Sequence, residues 1–67
     1  MEIRQRLARN MRAAREAKSW SQEEFADRAG IHRTYVSDIE RARRNPTITV
    51  VEKLAVPLDM TVSELLA

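Results

Sequence analysis

The 67-residue chain has no cysteine, one glycine, one histidine, two prolines and one each of tryptophan, tyrosine and phenylalanine. Without cysteine there is no disulfide scaffold and no thiol nucleophile, and a lone histidine leaves none of the usual zinc ligand sets. His32 has no companion base, nucleophile or metal ligand, so an enzyme is not expected, nor a metal, a cofactor or a small-molecule ligand. Long apolar runs are also missing. The stretch MEIRQRLARNMRAAR carries a charge every two or three residues and cannot serve as a signal peptide or membrane span. The chain is therefore read as cytoplasmic, associated with the nucleoid rather than a membrane. Its length allows one domain, residues 1–67, near the lower limit for folding without disulfides or metal. With so thin a core, function must lie on the surface.

What is present favours helices. Alanine, arginine, glutamate and leucine dominate, glycine and proline are rare, and no alternating strand pattern occurs, so the expected fold is all-α with five helices. A first helix runs from about Ile3 to Lys18, with Ile3, Leu7, Met11 and Ala14 forming its inner stripe, and Trp20 closes the turn as a core residue. Ser21-Gln22-Glu23-Glu24 and Thr61-Val62-Ser63-Glu64 read as capping boxes that begin the second and fifth helices. The second spans roughly 22–29 and ends at Gly30, which can take the left-handed conformation of a tight turn. A third runs from about His32 to Arg41. After a loop from Ala42 to Thr47, a fourth carries Val51, Leu54, Ala55 and Leu58 on one face, with an early end or kink expected at Pro57.

Net charge is only +2, but it is unevenly placed. Residues 1–19 hold six basic and two acidic side chains, and residues 28–44 hold five against two. Residues 20–27 carry three acidic groups, and residues 45–67 one basic against three acidic. Two basic blocks suit a polyanion, with another face left for something else.

Ala26, Gly30, Val36 and Ile39 supply the spacing that decides between an ordinary small bundle and something more specific. A methyl at Ala26 lets two short helices cross closely, Gly30 permits the turn, and Val36 with Ile39 buries the inner face of the second of them. That is a helix-turn-helix arrangement, whose second helix can enter the DNA major groove. On a 3.6-residue wheel Thr34, Ser37, Asp38 and Arg41 point away from Val36 and Ile39, with His32 and Arg33 at the amino end. Arg33 can donate two hydrogen bonds to guanine, and Thr34 can meet a thymine methyl or a polar base edge. Ser37 is short enough for close approach, though a neutral surface serine reads equally well. Asp38 either accepts from a cytosine amine or orients an arginine such as Arg41.

Gln22, at a helix start where backbone N–H groups favour an anion, is a candidate phosphate contact. Arg43, Arg44 and Asn45 can track a backbone or reach a groove edge, or form a solvated charged loop. Glu40 adjoins Ile39 on the inward side and needs a cation. A partly buried pair between Arg15 and Glu40, tying the first helix to the third, is expected.

From WSQEEFADRAG through HRTYVSDIERARRNPT to the leucine-rich end, the chain closely resembles the Cro/C1-type (XRE) helix-turn-helix family, and its HRTYVSDIER and RRNPT segments look most like controller proteins of restriction-modification systems. The resemblance implies a five-helix, lambda-repressor-like DNA-binding domain. It also implies a sequence-specific transcriptional regulator that binds a double-stranded palindromic operator as a homodimer. By the resemblance Arg33, Thr34 and Arg44 fall at base-contacting positions, Gln22, Tyr35, Ser37 and Asn45 fall at or beside backbone-contacting ones, and Arg15 with Glu40 matches the family's internal ion pair. With the outer-face reading added, Ser37 is assigned to the base contacts, and His32 and Arg43 join Gln22, Tyr35 and Asn45 as backbone contacts. Ala42 stands where glycine is common, so either the turn differs or alanine carries a positive φ. Asp59 and Pro57 likewise bear on the geometry between the last two helices. Leu58, Met60, Val62, Leu65 and Leu66 offer more apolar surface than a small core needs, and are expected at a dimer interface. A protein-interaction module, such as an antitoxin or adaptor using the same fold, is the alternative.

Overall fold

In the computed structural model, which describes all of residues 1–67, five helices follow one another: α1 (Ile3–Ala17), α2 (Gln22–Ala29), α3 (Arg33–Glu40), α4 (Ile48–Ala55) and α5 (Val62–Leu65). α1 packs on α3 and α5, α2 packs on α3, and α4 packs on α5. Their inner faces meet in one core built from Leu7, Met11, Phe25, Val36, Ile39 and Leu54, joined by Val51, Leu58, Leu65 and three small alanines. The alanines Ala26, Ala29 and Ala55 allow backbones to approach where a longer side chain would hold them apart.

Local chemistry sets the helix limits. Ser21 Oγ accepts the Glu24 N–H at 3.0 Å, Thr47 Oγ1 accepts the Val50 N–H at 3.2 Å and Thr61 Oγ1 accepts the Glu64 N–H at 3.0 Å. At α5 the box is complete, because Glu64 Oε1 accepts the Thr61 N–H in return at 2.8 Å. At α2 the expected box is only half formed. Glu24 turns outward to Arg28, one helical turn on, and accepts from its Nε at 2.8 Å. That ion pair replaces the return hydrogen bond from the Ser21 N–H.

Three expectations about apolar residues need correction. Ile3 is 46% exposed, at the first residue of α1, and leaves the inner stripe to Leu7 and Met11. Leu58 does not continue α4, which stops at Ala55 because Pro57 has no N–H to donate; the turn that follows closes through Leu58 and Met60 N–H donors to the Ala55 carbonyl, both at 3.1 Å. Leu58 and Leu65, expected at a dimer interface, are 4% and 0% exposed and belong to the core of the single chain. With so few residues the domain spends both leucines on its own interior. Met60, Val62 and Leu66 are half-buried against that core.

α5 has only four residues and is held from outside as well as by Leu65. Arg6 Nε donates to the Leu66 carbonyl at 3.0 Å, and Asn10 Nδ2 donates to the Leu65 and Ala67 carbonyls at 3.0 and 2.8 Å. Side chains of α1 thereby satisfy the carbonyls that a helix end leaves open. Trp20 is half-buried: it stacks on Phe25 with ring centroids 6.2 Å apart, and the Arg28 guanidinium lies 4.5 Å from its ring.

Ala42 does carry a positive φ, 57°, in the turn after α3, as does Asp59 after α4. For an L-residue with a Cβ this conformation costs about 1–2 kcal/mol. Ala42→Gly should relieve part of that strain, less what glycine's freer unfolded chain takes back. A rise in stability of roughly 0.5 kcal/mol is expected in urea denaturation. A loss would show that the Ala42 methyl contributes packing greater than the strain.

Candidate nucleic-acid interface

The candidate site is assembled on α3 by the turn that precedes it. Gly30 takes φ 71°, and the Gly30 and Ile31 N–H groups close back on the Asp27 and Ala26 carbonyls at 3.3 and 3.1 Å. The chain then reverses, and His32 occupies the cap position of α3 without a side-chain hydrogen bond to the helix. Val36, Ile39 and Glu40 are buried on the inner face. On the outer face Arg33 and Thr34 are exposed and Ser37 and Asp38 half-buried.

Two groups of side chains form there. A polar groove of about 480 Å³ is lined by Ser21, Gln22, Glu23, Arg33, Thr34 and Ser37, without a hydrophobic residue. It joins the start of α2 to the outer face of α3. Arg33 Nη1 lies 3.6 Å from Glu23 Oε2, and both side chains are more than half exposed, so the contact holds Arg33 weakly. The second group lies at the carboxyl end of α3 and on the loop that follows it. Asp38 Oδ1 accepts from Arg41 Nη2 at 3.2 Å, and its other oxygen is 3.8 Å from Arg44 Nη2. The Arg44 guanidinium lies 4.6 Å from the centre of the Tyr35 ring. Arg43 is exposed beside them, whereas Asn45 borders a separate small crevice together with Pro46, Ile48 and Ile3. His32 edges a third depression, with Asp27 and Ile31.

Beneath this surface sits the one buried charged residue. Glu40 is 5% exposed, and its carboxylate receives Arg15 Nε at 2.7 Å and Arg15 Nη2 at 3.0 Å. Gln22 Nε2 donates to it at 3.1 Å and Arg12 Nε at 3.4 Å, while Arg15 Nη1 spans to the Trp20 carbonyl at 2.8 Å. Gln22 thus spends one amide donor inward and keeps the other for the groove. Burial by itself would push the Glu40 pKa up; the hydrogen bonds from Arg15, Gln22 and Arg12 and the Arg15 charge outweigh it, and the carboxyl lies below its ordinary value. The bond to Glu40 raises the Arg15 pKa against the opposing effect of burial.

Arg12 and the stacking of Arg44 on Tyr35 were not readable from spacing. Arg12 lies one turn from Arg15 on α1, a weak signal. Tyr35 and Arg44 are nine residues apart across the end of a helix, and no periodicity links them.

A short helix seated through its inner face on a second, with a left-handed glycine turn between them and its polar side open to solvent, is a helix-turn-helix. Comparison with known proteins agrees. Residues 11–65 match the helix-turn-helix family. A hypothetical transcription factor of Neisseria meningitidis is 46% identical over 65 residues, covering 97% of this chain and 61% of that protein, so the chain spans less than two thirds of that relative. The crystal structure of the restriction-modification controller protein C.AhdI from Aeromonas hydrophila superposes with a TM-score of 0.87 at 37% identity, covering 92% of this chain and 94% of that one. SinR, the master regulator for biofilm formation, solved in complex with DNA, superposes with a TM-score of 0.86 at 35% identity, covering 91% of this chain and 98% of that one. The protein belongs to the helix-turn-helix family. No helix in it is long and apolar enough to cross a membrane.

Proposed function

We propose that the chain, a single domain over residues 1–67, is a cytoplasmic, sequence-specific double-stranded DNA-binding transcriptional regulator, and that it acts as a restriction-modification controller. The observation that carries this is the open outer face of α3, where Arg33 and Thr34 stand exposed at its amino end on a groove lined by no hydrophobic residue. In the proposed complex α3 lies in the major groove. Arg33 reads guanine, Thr34 a thymine methyl or polar edge, and Ser37 permits close approach. Arg44 supplies a fourth base contact from the loop. Gln22, His32, Tyr35, Arg43 and Asn45 meet the sugar-phosphate backbone and set the register. The likeness to a regulator solved with DNA supports this assignment.

One eight-residue helix spans too few base pairs to define a site, so the protein is proposed to bind as a homodimer on a palindromic operator. Since Leu58 and Leu65 are taken by the core, the interface falls to Met60, Val62 and Leu66. Selection of bound duplexes from a random pool should return a two-fold symmetric sequence, with half-sites about 10 base pairs apart from centre to centre. Sedimentation should give a dimer at micromolar concentration. A monomer, or a pool that returns no common sequence, would refute the proposal.

A further inference from the structure

We propose that Asp38 is a positioning residue for operator recognition, its carboxylate acting with the Tyr35 ring to hold the loop arginine Arg44 against the outer face of α3. The inference rests on the DNA-binding reading above. Backbone hydrogen bonding at the end of α3 stops at Arg43, whose N–H donates to the Asp38 carbonyl at 2.9 Å. Arg44 follows in a stretch with no regular structure. A long side chain on such a loop would sample many rotamers, and each would have to be given up on binding. Here it is instead placed twice. Asp38 attracts one edge of the guanidinium, 3.8 Å away, and the Tyr35 ring faces it at 4.6 Å. Arg41, bonded to the other carboxylate oxygen at 3.2 Å, fixes the orientation of Asp38 in turn. The Asp38 side chain is only 26% exposed, so this arrangement is less screened than an open surface pair.

The same carboxylate has a second effect of opposite sign. A negative charge on a face turned to phosphates repels every duplex, whatever its sequence. Repulsion therefore acts on all DNA, whereas placement of Arg44 acts only where that arginine meets a particular base. The two effects separate in one experiment. Asp38→Asn keeps the shape and removes the charge, and Asp38→Ala removes both; each is checked for an unchanged thermal melt. Affinity is then measured for the selected operator and for a scrambled duplex of the same length. The variants should bind scrambled DNA as well as or better than the parent, yet lose roughly fivefold or more on the operator, the lower end of what one well-placed arginine contact discriminates. In an Arg44→Ala background the operator-specific loss should vanish, because the residue through which Asp38 acts is already gone.

Equal strengthening on both duplexes would overturn the inference, leaving Asp38 as repulsion alone. So would an undiminished loss in the Arg44→Ala background. If the parent protein bound operator and scrambled duplex alike, the inference would fall together with the DNA-binding reading. The parent's own discrimination thus tells the two failures apart.

Discussion

Arg33→Ala should sharply reduce discrimination for the selected operator while leaving the fold intact. Arg33 is exposed at the first position of α3, and its one intramolecular partner is the weak 3.6 Å contact to Glu23. Removing it therefore costs little stability, and releasing it to a base costs little binding energy. A guanidinium that donates two hydrogen bonds to guanine is worth about 1–3 kcal/mol of discrimination. Repeated in two half-sites, the loss becomes about 2–6 kcal/mol, or at least roughly 30-fold in affinity. Binding to scrambled DNA should fall only by the loss of one positive charge per protomer. Arg43→Ala should behave differently, weakening all duplexes alike and lowering the salt dependence by about one ion per contact. If both variants lost affinity for every duplex in the same proportion, Arg33 would be a backbone contact and specificity would have to reside elsewhere on α3.

A second large effect is expected from the buried cluster around Glu40. Arg15→Met alone should destabilise the fold by about 3–5 kcal/mol, because it leaves a carboxylate in the interior with only a neutral amide and the more distant Arg12. A chain this short has roughly 3–10 kcal/mol in all, so the single variant should be partly unfolded at room temperature. Arg15→Met combined with Glu40→Leu removes both charges and should recover most of the loss. Urea midpoints of the parent, the two single variants and the double variant measure the coupling directly. A double variant that loses the sum of the two single losses would show that the pair is uncoupled, and would overturn this reading.

The pH dependence follows from the direction of the Glu40 shift. Its carboxyl titrates below the ordinary value of 4.5 in the folded chain, so its stabilisation is fully present above that ordinary value. It is lost as pH falls through the lowered one. Glu40→Gln, if it folds, should show a flatter stability profile than the parent below about pH 4.5. Gln22 shares the Glu40 carboxylate, so acid should also loosen one edge of the proposed DNA groove.

Much of the architecture was legible in single residues with local causes. Gly30 ends α2 in the left-handed conformation, Ser21 and Thr61 cap their helices, Pro57 stops α4, and Val36 and Ile39 face inward. Each follows from hydrogen-bonding capacity or allowed backbone angles within a few residues. The fate of the apolar residues near the carboxyl end is not local in this way. Periodicity places Leu58 and Leu65 on an apolar side, but it does not say whether the chain's own α1 and α4 or a second molecule covers that side.

The order of helices, the starts of α2 and α5, the left-handed turn and the polarity of the two sides of α3 were written in the residues along the chain, because they depend on neighbours three or four positions away. The folded arrangement alone settled that Gln22 and Arg12 converge on Glu40, that Asp38 and Tyr35 come to lie beside Arg44, and that Arg6 and Asn10 cap an end of the chain more than fifty residues distant. Those contacts join segments whose separation carries no periodic signal, and they exist only once the shared core has brought the helices together.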